Sequence, residues 1–180
     1  MRLAPLALLL VLAACRADAG PDPADPGRAA DPATEAGAAE AVTLPAALVS
    51  DAPPMTVYKS PTCGCCALWV EHMEAAGFDV VTEDRDDMAA VKDSLGLPSD
   101  LSSCHTGVVD GYVVEGHVPA EHVARLLDER PEALGLAVPG MPIGSPGMEV
   151  GDRRDPYDVL VVDGAGEAAV FARVPGNTRQ

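Results

Sequence analysis

From Met55 onward, apolar and polar positions fall into a regular succession of short elements. Met55-Thr56-Val57-Tyr58-Lys59 is a strand-like run. Leu68, Trp69, Met73 and Ala76 then recur at helical spacing, predicting a helix from Cys65 to Ala76 that Gly77 stops. Phe78 to Thr82 reads as a second strand and Asp86 to Leu95 as a second helix, capped by Asp84 or Asp86 and ended by Gly96. After a loop containing Pro98, the runs His105–Val109 and Tyr112–Glu115 flank Asp110-Gly111, a hairpin signal. Pro119 suits the first position of a third helix, whose Val123, Leu126 and Leu127 form an apolar stripe ahead of Pro131. Val159–Val162 and Ala168–Ala172, on either side of Asp163-Gly164-Ala165-Gly166, predict a second hairpin near the end.

Strand, helix, strand, helix, hairpin, helix is the order of a thioredoxin-like α/β domain. The prediction is such a domain with two additions, a Gly/Pro/Met-rich loop and an extra C-terminal hairpin. In that arrangement the loop into the third strand lies beside the turn that opens the first helix. Here that loop is Leu101-Ser102-Ser103-Cys104-His105-Thr106, so Cys104 is expected near Cys63 and Cys66. Thioredoxins usually carry a cis-proline at this point. A thiol and an imidazole stand there instead, which weakens a general role in disulfide exchange on peptide substrates.

The pattern before Met55 is different. Arg2 precedes an apolar run from Leu3 to Ala14, too short for a bilayer span, which needs about 20 residues, but suited to a secretory signal. Its end, Leu12-Ala13-Ala14-Cys15, looks like a bacterial lipobox, with cleavage before Cys15 and lipidation of its thiol; the alternative is an ordinary signal whose cleavage site abuts a cysteine. Residues 1–14 are thus read as signal and residues 15–54 as a lipid anchor and disordered acidic tether. The folded domain is then 55–174 and the tail 175–180. The tether is rich in Ala, Pro, Asp, Glu and Gly and has no aromatic residue, so it lacks the apolar surface to offset the entropy of ordering. A lipid-anchored home in the bacterial envelope, facing the periplasm from the outer membrane, is the resulting expectation. Charge adds one exclusion. With 12 basic against 28 acidic residues, a net charge of −16, the chain lacks the basic face that nucleic acid requires.

The chemistry concentrates in Cys63-Gly64-Cys65-Cys66, which holds three of the five cysteines. Thiols at a helix N-terminus sit at the positive end of the helix dipole, which favours the thiolate, the form that attacks disulfides and binds soft metals. A purely structural disulfide is a weak alternative, because neighbours this close in sequence close almost no loop. Cys63 with Cys66 makes a Cys-x-x-Cys pair suited to thiol–disulfide exchange. Cys63 with Cys65 makes a Cys-x-Cys pair whose sulfurs can converge on one ion. Thiolates favour Cu(I), zinc or iron–sulfur clusters. A four-cysteine zinc site would normally show two separated Cys-x-x-Cys pairs, and only one is present. An exported protein disfavours iron–sulfur, leaving Cu(I) ahead of zinc.

Other candidates are weighed against plain structural roles. His105 is a ligand or proton acceptor on one reading and a satisfied loop histidine on the other. His72 reads as surface, and His117 and His122 as solvent-exposed or capping residues around the third helix. Trp69 and Met73 read as core. The loop from Val138 to Glu149 carries Met141 and Met148, and is either an ordered cover with methionines as fillers or a copper contact.

Four ordered motifs carry a family resemblance: Tyr58 to Cys66, Ser103-Cys104-His105-Thr106, Gly111 to Ala120, and Gly140 to Glu149. Together they resemble the CopG-like family, small thioredoxin-like proteins often encoded with bacterial copper-resistance systems and long described as a domain of unknown function. The resemblance covers about Met55 to Val174. It implies copper binding through Cys63, Cys65, Cys66, Cys104 and His105, with redox cycling of the thiols as a further implication. The lipobox and the acidic tether are additions it does not explain. Three functions stay open. The chain is an envelope protein that binds Cu(I) and passes it to other copper-handling proteins, a thiol or copper oxidoreductase using Cys63 and Cys66, or a structural zinc module.

Overall fold

The computed structural model describes residues 52–177. The signal-like run, the lipobox cysteine Cys15 and the tether up to Asp51 lie outside these residues. Among the described residues no helix is long and apolar enough to cross a membrane.

The elements follow in the order β1 (Met55–Lys59), α1 (Gly64–Ala75), β2 (Val80–Asp84), α2 (Met88–Ser94), β3 (His105–Val109), β4 (Tyr112–Gly116), α3 (Ala120–Glu129), β5 (Gly135–Val138), β6 (Tyr157–Val162) and β7 (Ala168–Val174). One mixed sheet of seven strands, ordered β2-β1-β3-β4-β5-β6-β7, takes them all. β2 runs parallel to β1, and β5 parallel to β4; the other neighbours are antiparallel. The fold is therefore α/β, with the C-terminal hairpin β6–β7 extending the sheet at one edge.

Because side chains alternate across a strand, the sheet separates two apolar layers. Val114, Leu136, Val138 and Val159 face one side, where Trp69, Val70 and Met73 of α1 and Val123 and Leu126 of α3 complete the larger core. The buried positions of α1, Cys66, Trp69, Val70 and Met73, follow the i, i+3, i+4, i+7 spacing of one helix face. Trp69 and Met73 are fully buried, as the sequence predicts. Val113, Ala137 and Val162 face the other side and pack with Leu97 and Leu101.

Several boundaries differ from the sequence reading, each for a local reason. The second strand starts at Val80 rather than Phe78, because the Phe78 N–H bonds back to the Met73 carbonyl and its ring enters the core. α2 begins at Met88, capped by neither Asp84 nor Asp86 but by Asp87, whose carboxylate accepts the Ala90 N–H at 3.0 Å. Pro119 is the residue before α3 rather than its first. β5 has no counterpart in the prediction. Its four residues, Gly135 to Val138, are buried on both faces and show no alternation to read. The Asp110-Gly111 hairpin is present, with φ of 49° and 85° at its two turn residues. The described part of the expected tail is tied down, since Asn177 exchanges hydrogen bonds with the backbone of Arg154.

Candidate metal centre

Cys63 is the residue before the first turn of α1, in extended conformation, with Cys65 and Cys66 inside that turn. Cys63 and Cys66 are joined in a disulfide, while Cys65 and Cys104 are free thiols. The turn leading into β3 brings Cys104 to the same place. The Cys65 sulfur lies 3.6 Å from that of Cys63 and 3.9 Å from that of Cys104, and all four sulfurs lie within 4.8 Å of one another. Thiolates bound at about 2.3 Å to one tetrahedral ion stand about 3.8 Å apart, so Cys65 is already spaced from both neighbours as ligands of a shared ion would be. Among the described residues the cluster collects every cysteine.

The sulfur of Cys104 also faces two imidazoles, His105 Nδ1 at 3.3 Å and His117 Nε2 at 3.2 Å. Here the structure corrects the sequence reading of His117 as exposed or capping. It is fully buried, because it directly follows β4 and the β3–β4 register places it across from Cys104. The capping part belongs to His72, read as surface, which is half-buried and accepts the Ala120 N–H of α3 on Nε2 at 3.1 Å. His122 meets Phe171 edge-on, away from the sulfurs.

Burial keeps these groups uncharged. It pushes the Cys104 thiol up to about 11, with the neighbouring Cys65 adding to the effect. His105, whose ring centroid lies 4.5 Å from that of Trp69 with the planes tilted, is driven down to about 3 by burial, helped by His117 and Lys92. Burial lowers His117 as well. At neutral pH the two imidazoles therefore present lone pairs, while Cys104 keeps its proton until a metal displaces it.

Two supports hold the site, the first of which the sequence reading missed. On the second face of the sheet, Lys92 of α2, Thr106 of β3 and Glu115 of β4 form a buried network. The Lys92 ammonium donates to Glu115 and, at 2.9 Å, to Thr106, whose hydroxyl donates to Glu115 at 2.6 Å. Glu115 also accepts the backbone N–H of Ser103, the residue before Cys104. A glutamate inside the apolar run Tyr112-Val113-Val114-Glu115-Gly116 was the available signal for it.

The second support is the Gly/Pro/Met-rich loop, which forms a strap across the start of α1. The Pro146 carbonyl accepts from His117 Nδ1 at 2.8 Å. At Gly147, with φ of 82°, an added Cβ would stand 2.7 Å from the Cys65 carbonyl oxygen, so the strap is pressed against the first turn of the helix. Of the two loop methionines, Met141 is 53% exposed, next to Gly140, whose carbonyl accepts from the Ser103 hydroxyl. Met148 is half-buried in the turn that its N–H closes onto the Ser145 carbonyl.

The chain resembles two solved structures. One, a copper resistance protein described as copG Form 2, shares 51% identity with a TM-score of 0.66, covering 68% of this chain and 99% of that one. The other, described as copG Form 1, shares 50% identity with a TM-score of 0.67, covering 70% of this chain and all of that one. The chain belongs to the CopG family. Residues 101–148, from the loop before Cys104 through the strap to Met148, also match the family described as DUF411, a protein of unknown function. No curated protein matches the chain. Membership in the CopG family and the gathered sulfurs together support a copper-related function.

Proposed function

We propose that this CopG-family chain binds Cu(I) in the bacterial envelope through Cys63, Cys65, Cys66 and Cys104, with His105 beside them, and so serves copper resistance. The observation that carries the reading is the gathering of four sulfurs within 4.8 Å from two segments far apart in sequence. Softness supports copper over zinc, because thiolates prefer Cu(I) and an envelope site meets it. With the Cys63–Cys66 bond closed, only two of the four sulfurs are free. Loading the full set therefore requires reduction: the disulfide takes two electrons and two protons from a dithiol donor and becomes two thiols. Copper then displaces the protons. Met141, exposed on the rim near Ser103, offers a thioether to an incoming ion, and Met148 sits further along the same strap. Lipidation at Cys15 would hold the domain at the membrane and put it within reach of other copper-handling proteins.

The disulfide supports a second reading, a thiol or copper oxidoreductase that cycles Cys63 and Cys66. The two readings separate by titration. Cu(I) is added anaerobically, against a chromophoric chelator, to the reduced and the disulfide-closed protein, with free thiols counted before and after. Binding by the reduced form at least tenfold tighter than by the closed form supports the Cu(I) site. Equal affinity in both forms would rule out the four-sulfur set.

A further inference from the structure

One imidazole that the sulfur cluster does not use fastens α1 to α3. Pro119, the residue before α3, offers no side-chain acceptor to the first turn of that helix. The His122 and Val123 N–H groups turn back to the Pro119 carbonyl at 3.0 and 3.3 Å. The Ala120 N–H, a donor with no acceptor inside the helix, goes instead to His72 of α1, whose Nε2 accepts it at 3.1 Å. A backbone N–H only donates, so His72 carries a lone pair on Nε2 and its hydrogen on Nδ1. The residues just ahead of Ala120 border the cysteines. His117 faces Cys104, and the Val118 carbonyl accepts the Trp69 indole N–H at 2.9 Å.

His72 also borders an open cavity of about 230 Å³ beside the strap, lined by Glu121 of α3, Glu149 of the strap, Arg154 ahead of β6 and Tyr157 at its start. Burial pushes the Tyr157 phenol up to about 12, so it adds no charge. α1 adds none either, since the positions three and four away from His72 are Leu68, Trp69, Ala75 and Ala76. The charges around the imidazole are therefore two carboxylates and one guanidinium. Burial makes His72 harder to protonate, and Glu121 and Glu149 act in the opposite direction. The neutral ring has a partner in the Ala120 N–H; a protonated ring has partners in the carboxylates.

We infer that His72 is a proton-operated latch between α1 and α3. Neutral, it holds Ala120, and with it the segment from His117 to Ala120, against α1. Protonation on Nε2 removes the lone pair that accepts the Ala120 N–H and sets a cation at the positive end of the α3 dipole. The ring then turns to Glu121 and Glu149, and the segment is released. The folded ring takes a proton less readily than an ordinary imidazole at 6.5, so the latch stabilises the fold fully above that pH. Its contribution is lost as the pH falls from 6.5 to the folded midpoint. The latch belongs to the metal-free protein and stands apart from the Cu(I) reading.

The test is NMR of the metal-free full chain. At neutral pH the ring-nitrogen signals should place the hydrogen of His72 on Nδ1. On acidification the ring should titrate with a midpoint below 6.5, and the amide signals of Val118 and Ala120 should move with that same midpoint. His72→Gln sets an amide oxygen where Nε2 stood, an acceptor that does not titrate. The Ala120 signal should then stay in place between about pH 5 and 7. In urea unfolding the unmodified chain, relative to His72→Gln, should lose about tenfold in its folding equilibrium for each unit between 6.5 and the folded midpoint. The other histidines titrate in both chains and cancel in the comparison. If His72→Gln fails to fold, the paired His72 and Ala120 titrations of the unmodified chain decide alone. The proposal is overturned if the hydrogen sits on Nε2, if the Ala120 signal does not follow the His72 midpoint, if it still moves in His72→Gln, or if the stability difference between the two chains does not change with pH.

Discussion

The Glu115 carboxylate and the backbone N–H of Ser103 are hydrogen-bonded through the sheet's second layer, and this bond sets the turn from which Cys104 projects. Glu115 is itself fully buried and paired with Lys92. A buried ion pair adds little net stability over an apolar substitute, but breaking one leaves an uncompensated charge. Lys92→Met should therefore cost about 3–5 kcal/mol in urea unfolding. Glu115→Gln keeps an acceptor for Ser103 and should cost less than Glu115→Leu, which abandons both partners. Equal losses for the two Glu115 variants would mean that the Ser103 bond does not matter.

Cys65 is the position that separates copper binding from disulfide chemistry. It lies outside the Cys63–Cys66 bond yet next to two other sulfurs. Cys65→Ser should weaken Cu(I) binding by the reduced protein and leave any disulfide reductase activity largely intact. Cys66→Ser should damage both, because it removes a ligand and the resolving thiol. Unchanged Cu(I) affinity in Cys65→Ser, with exchange activity abolished in Cys66→Ser, would transfer the function to the oxidoreductase reading.

Copper binding should strengthen with pH. Burial holds the free Cys104 thiol near 11, so it is protonated throughout the physiological range and must lose its proton to bind. A ligand protonated when free and deprotonated when bound makes apparent affinity rise about tenfold per pH unit for each proton displaced, up to the free thiol's own value. Competition titrations between pH 6 and 8 measure the slope directly. A flat profile would exclude Cys104 as a thiolate ligand.

Gly147 tests the strap. Alanine there must adopt a left-handed backbone and push its Cβ against the Cys65 carbonyl, within 2.7 Å as the backbone stands. The left-handed conformation alone costs on the order of 1–3 kcal/mol. Gly147→Ala should lower stability by at least that much and loosen the Pro146 contact to His117. The mutation tested at Gly151, also left-handed (φ 54°) but with open space around it, should show only the backbone cost.

At the other end of the chain, Cys15→Ser should release the protein from membranes and leave metal binding by the domain unchanged. Lost metal binding in that variant would make Cys15 a ligand rather than an anchor.

Much of the site was legible because it rests on local signals. The Cys63-Gly64-Cys65-Cys66 motif sits at a readable strand-to-helix junction, and the expected approach of Cys104 follows from the order of elements. His117 was legible too, through the hairpin rather than its own neighbours. The two-residue Asp110-Gly111 turn pairs Val109 with Tyr112 and Thr106 with Glu115. Two more steps along that register set Cys104 opposite His117. Reading His117 by its nearness to Pro119 and α3 hid this. Lys92 was not legible, since a lysine in Met88-Ala89-Ala90-Val91-Lys92 reads as a solvated helix position until the sheet supplies Glu115. β5 was hidden for a different reason: a short strand buried on both faces has no periodicity to detect.

The strap grips the site through main-chain atoms, the Pro146 carbonyl on His117 and the bare Cα of Gly147 on α1. Its outward Met141 takes no part in that grip and is 53% exposed. The rim is thus free to diversify, acquiring charge, bulk or new docking preferences, while the imidazole beneath keeps its aim. One loop can in this way be retuned for different clients without the ligand geometry having to be reinvented.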